Sequence, residues 1–151
     1  MMLFTGLKTG QSVSGVVYHY QVDDTNGGIL PDAITMETLT DKALYVSDSE
    51  TDWLPDHLSI TVRKHRLYVD INNPKVYRDS PIRIDEDYDL LKYLAIKDGH
   101  DAIVFLPEDD ELRECLLLYP KTSVRDIASS LITIGGNKDP VLQSIYDDLT
   151  M

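Results

Sequence analysis

The chain has one cysteine, Cys115, among 151 residues. That excludes an internal disulfide and any zinc site built from several cysteines. It has no apolar run long enough to span a bilayer. Its opening residues, Met1-Met2-Leu3-Phe4-Thr5-Gly6-Leu7-Lys8, lack the charged start and long apolar middle of a secretion signal. A cytoplasmic protein is therefore expected, in its own cell or a host cell. Basic residues are few: 14 Lys and Arg against 26 Asp and Glu leave a net charge of −12. That balance argues against direct nucleic-acid binding and against anionic membranes, and it permits a basic protein partner or mimicry of nucleic-acid charge. No GxGxxG, P-loop or GxSxG is present. The four histidines are too scattered to read as a metal site, so no metal is expected.

What is present suits one globular core, since 42% of the residues are hydrophobic. Val16-Val17-Tyr18-His19-Tyr20 marks a strand over residues 13–22, and Ala43-Leu44-Tyr45-Val46-Ser47 a short one. Asp23 to Gly28 has the chemistry of a loop, residues 29–41 read as a short helix or turn, and Trp53 to Leu58 as one helical turn. Residues 59–71 form a long extended run, broken by Asn72-Asn73-Pro74. Asp85 is a plausible N-cap; Tyr88, Leu91, Leu94 and Ala95 then recur at helical spacing until Gly99. Strands over 101–106 and 112–119 follow, joined by an acidic turn. Thr122 or Ser123 is positioned to cap a helix through Ile132, and Asp139-Pro140 opens a last helix through Leu149. Strands dominate without a βαβ repeat, which predicts an α+β fold.

The segment Glu114-Cys115-Leu116-Leu117-Leu118-Tyr119-Pro120 carries the most chemistry. A carboxylate at the mouth of a buried hairpin holds negative charge beside a reacting centre. The plainer readings stay open: Glu114 as a solvated residue or a salt-bridge partner of Arg113 or Arg63, Tyr45 as packing, and His19 as an ordinary strand histidine. Cys115, inside an apolar strand, reads as a buried structural thiol.

Four of these segments, in order, resemble the ADP-ribosyltransferase fold: the strand ending in Tyr18-His19; Ala43 to Ser47; Leu67-Tyr68-Val69-Asp70-Ile71-Asn72-Asn73-Pro74; and Gly99 to Val104 with Glu114 to Pro120. The resemblance implies a split β-sheet core with flanking helices over residues 1–127 and a C-terminal helical extension, 128–151, packed on it. With histidine rather than arginine on the first strand, it points to the histidine-tyrosine-glutamate type. It then implies His19, Tyr45 and Glu114 as catalytic residues, and His19, Tyr20, Tyr45 and Ser47 as contacts to NAD, the co-substrate. Glu114 would stabilise the oxocarbenium-like ribose as nicotinamide leaves, Tyr45 would stack on nicotinamide, and His19 would orient a ribose hydroxyl. The implied activity is mono-ADP-ribosyl transfer to a macromolecular acceptor, a protein, by a small phage-encoded or toxin-like effector. The alternative is a catalytically inactive member of that fold, since Tyr20 and Gln21 stand where the family has glycine then threonine or serine, or an unrelated acidic α+β module. It binds a basic partner protein, as an inhibitor or a nucleic-acid mimic.

Overall fold

A computed structural model of the chain describes residues 3–21, 32–50, 59–78, 84–106 and 113–135. It is an α+β structure dominated by one mixed sheet. The elements are β1 (Val13–Gln21), β2 (Leu44–Ser47), β3 (Ser59–Ile71), β4 (Pro74–Arg78), α1 (Ile84–Lys97), β5 (Ala102–Leu106), β6 (Glu114–Leu117), α2 (Pro120–Ser123) and β7 (Val124–Gly135). The seven strands lie in the order β4-β5-β6-β2-β1-β3-β7. Among the described strands, only the β4–β5 pair is parallel.

That order, with the chain's reach, requires the sheet to curl. β3 and β4 stand five places apart, about 24 Å across a flat sheet. Yet only Asn72 and Asn73 join them, a span of at most about 11 Å. Asp101 fixes the corner: its carboxylate accepts the N–H groups of Asn72 at 2.7 Å and Asn73 at 2.9 Å. The curl encloses a core of Phe4, Val17, Val46, Leu67, Val69, Ile71, Val104, Cys115 and Leu117. Gly15 leaves room for Leu3: a Cβ there would lie 2.6 Å from Leu3 Cδ1, so that side chain would have to shift. On the outer face of β5 and β6, Leu91 and Ala95 of α1 cover Ile103, Phe105, Leu116 and Leu118. Gly99, at φ +81°, ends that helix, and the next N–H, from His100, returns to the Ala95 carbonyl.

The strands over 13–21, 44–47, 59–71, 102–106 and 114–117 lie where the sequence places them. Three details differ. Pro74 opens β4 instead of only ending β3, which proline allows as the first residue of an edge strand. α1 starts at Ile84, one residue before the expected cap. The helix expected through Ile132 is instead one turn, α2, after which Val124 turns extended (φ −83°, ψ 127°) and leads into the twelve residues of β7. Residues 124–135 are rich in Val, Ile, Ser and Thr, weak helix formers, and β3 offers them a full edge to pair with. The expected start of a helical extension, at residue 128, thus falls inside a strand. The loop at 23–28, the turn at 53–58, the acidic turn at 107–111 and the helix at 140–149 lie outside the described residues.

Candidate functional site

Alternation along the strands decides which candidate side chains meet. Val17 faces the curled interior, so His19 and Gln21, two and four residues on, face it too. Their partners on β3 are His65 and Arg63. On β2 and β6 the interior residues are Val46 and Cys115, so Tyr45, Ser47 and Glu114 face outward. Tyr18 pairs with Ser47, which puts Tyr18 and Tyr20 on that outer face as well. The sheet therefore brings Tyr45, Ser47, Glu114 and Tyr20 to one side and His19 to the other. What His19 offers Tyr45 is a bond through the backbone: its Nδ1–H donates to the Tyr45 carbonyl at 2.6 Å.

On the outer side, Glu114 stands between Ser47 on β2 and Phe105 on β5. Tyr45 is its diagonal neighbour across the β2–β6 pair, a relation that leaves long side chains within reach of each other. Burial beside these residues pushes the Glu114 carboxyl above its ordinary range. Arg113 does not pair with it. Arg113 points to the interior and donates from Nε to both oxygens of the buried Asp48, at 3.2 and 3.1 Å. Asp48 also accepts the Phe4 N–H at 2.9 Å. Ser47 turns its hydroxyl to the Arg113 carbonyl at 3.0 Å and is nearly buried. Tyr45 is 40% exposed. Cys115 is fully buried, and its thiol is pushed far up by burial and by Asp101 and Asp48, so it stays protonated, as its place in the sequence predicted.

The interior holds a cluster that the sequence reading did not assemble. The His19 and His65 rings stack with centroids 5.9 Å apart. His65 is 1% exposed and satisfied at both nitrogens: Nε2–H donates to Gln21 Oε1 at 2.7 Å, and Nδ1 accepts from Ser129 Oγ at 2.6 Å. The Gln21 amide nitrogen donates to the Asp32 carbonyl, which sets that orientation. Burial, then the charges of His19 and Arg63, lower the His65 pKa to about 4. Burial also lowers that of His19, opposed by its bond to Tyr45. Both rings are neutral near pH 7. The buried Nε of Arg63 has no acceptor among the described residues. The signal for this cluster lay in the parity of two long strands, with His19 two residues after Val17 and His65 two before Leu67. The distance between them in sequence hid it.

Other features are modest. A cavity of about 260 Å³ is lined by Ile34, Thr38, Leu39, Lys42, Ala43 and Leu44, below the usual size of a ligand pocket, about 300–1,000 Å³. Among the described residues no three acidic, histidine or cysteine side chains group as a metal site. None of their helices is long and apolar enough to cross a membrane. The outward surface of α1 is unusual: Leu90 is 53% exposed, Tyr93 62%, Leu94 40% and Ile96 46%. Leu94 recurs at helical spacing with Leu91 and Ala95, yet it lies beyond the stripe that those two bury. Comparison with protein-family models, with curated proteins and with solved structures finds no match. The likeness to ADP-ribosyltransferases rests on its four short segments alone.

Proposed function

We propose that the chain is a non-catalytic binding module whose α1 surface docks a basic, amphipathic segment of a partner protein. The observation that carries this reading is Tyr93, 62% exposed, with Leu90 three residues before it and Leu94 beside it, on a helix whose buried stripe is already filled by Leu91 and Ala95. Spacing of i, i+3 and i+4 is what a helix presents to a second helix. Exposed Asp89 and the net charge of −12 favour a cationic partner and speed its arrival. The test is titration with two helical peptides that share an apolar stripe, one lysine-rich and one glutamate-rich. Only the lysine-rich peptide binds, more weakly at high salt, and Tyr93→Ser reduces its affinity at least about tenfold. Equal binding of both peptides, or none at low salt, rejects the reading.

A second reading, NAD-dependent ADP-ribosyl transfer, keeps one observation in its favour. Tyr45 and Glu114 share the outer face as diagonal neighbours, and the raised pKa of Glu114 is of the kind seen at functional carboxylates. On this reading His19 supports Tyr45 from behind through its carbonyl and does not touch NAD. Incubation with labelled NAD and cell extract decides: label transfer lost in Glu114→Gln favours the transferase, and no turnover with no NAD binding leaves the module.

A further inference from the structure

The last strand of the sheet carries a second surface, separate from α1. β7 pairs with β3 on one side and, among the described residues, ends the strand order on the other. An edge strand presents unpaired N–H and C=O groups, and long edges are usually blunted by lysine, proline, a bulge or brevity. β7 is twelve residues long. Its two charged residues, Arg125 and Asp126, lie at its start, next to its one register shift, at Tyr68/Val69 of β3. From Ile127 to Gly135, nine residues contain no charge and no proline. Ala128, Ser129, Ser130 and Leu131 are exposed, Leu131 by 59%.

We propose that this edge pairs with β7 of a second copy of the chain, antiparallel, about a two-fold axis at Leu131. Leu131 is the midpoint of the uncharged stretch. Pairing about it aligns Ile127 with Gly135 of the other copy, Ser129 with Thr133, and Leu131 with itself. Each Arg125 and Asp126 falls outside the paired stretch, so no like charges stand opposite one another. That matters because each copy carries −12, and every acidic surface opposes the approach of another copy. The contact buries the exposed Leu131 side chains against each other and satisfies the free backbone groups of both edges. It is isologous and closes at two copies, joining two sheets into one of fourteen strands.

Sedimentation over a wide range of protein concentration tests it. The mass rises from that of the 17.1 kDa chain to twice that value and no further. Leu131→Lys and Leu131→Glu each weaken the dimer by about tenfold or more, because two like charges meet at the axis. An equimolar mixture of the two variants restores it. Unchanged circular dichroism confirms folding, which the exposure of Leu131 allows. Tyr93→Ser leaves dimerisation intact, so this test and that of the α1 surface fail separately. A single mass at every concentration, growth beyond two copies, variants that dimerise like the parent chain, or a mixture that restores nothing overturns the proposal.

Discussion

The two halves of the sheet solve burial differently. β5 and β6 are covered on both faces, by the curled interior on one side and α1 on the other, and all five residues of β5 are buried. β3 is covered on one face only along most of its length: His65, Leu67, Val69 and Ile71 are buried, whereas Arg66 and Tyr68 between them are exposed. The sequences match, a continuous Ala102-Ile103-Val104-Phe105-Leu106 against the alternation of Leu67-Tyr68-Val69-Asp70-Ile71. The difference teaches where each surface comes from. The doubly covered half offers the outward face of the helix that covers it, whereas the singly covered half leaves a bare sheet face, an edge strand and, inside, space for polar groups at the end of the core.

Mutations sharpen that contrast. The largest effect is expected at the buried ion pair on the interior face. Arg113→Ala leaves the Asp48 carboxylate buried without its guanidinium and costs about 3–5 kcal/mol, read by urea unfolding. Leu116→Ala, in the layer under α1, opens a cavity and costs about 3 kcal/mol by the same measurement. A loss no larger than that of an exposed residue at either position would break the distinction between the halves.

Acid acts on the polar end of the interior. His65 has a folded pKa of about 4 against 6.5 unfolded, so over that interval the unfolded chain binds the proton more readily. Stability is full above pH 6.5, falls as the pH drops towards 4, and changes no further from this group below that. The loss is about 3 kcal/mol. His65→Gln flattens this part of the pH–stability curve, and an unchanged slope would contradict the buried neutral imidazole. Glu114 works in the opposite sense. Its raised folded pKa weakens the fold as pH climbs through and above the ordinary carboxylate range, so Glu114→Gln gives a small rise in Tm at neutral pH. Smallest of all, Tyr68→Ser on the bare outer face changes stability by less than about 0.5 kcal/mol.

Local chemistry made much of the fold legible. Apolar, β-branched and aromatic runs placed five of the seven strands, and glycine at the αL position ended α1 where helical spacing said it should. β7 was misread because Thr122, Ser123 and the apolar spacing after them look like a capped helix, whereas the deciding term was the unpaired edge of β3, which no window around residue 125 contains. The candidate site was legible only as residue types. His19, Tyr45 and Glu114 were each placed on a strand, but a strand's two faces are set by one residue of register.

The sequence by itself determined the α+β class, the extended and helical segments, the acidic surface and the burial of Cys115, because propensity, turn chemistry and charge act over a few residues. Only the tertiary structure decided that His19 meets His65, that Arg113 serves Asp48 and not Glu114, and that α1 keeps an apolar stripe in solvent. Those outcomes depend on which strands pair, in what register, and how far the sheet curls to let two asparagines join β3 to β4. Pairing, register and curl are properties of the whole chain.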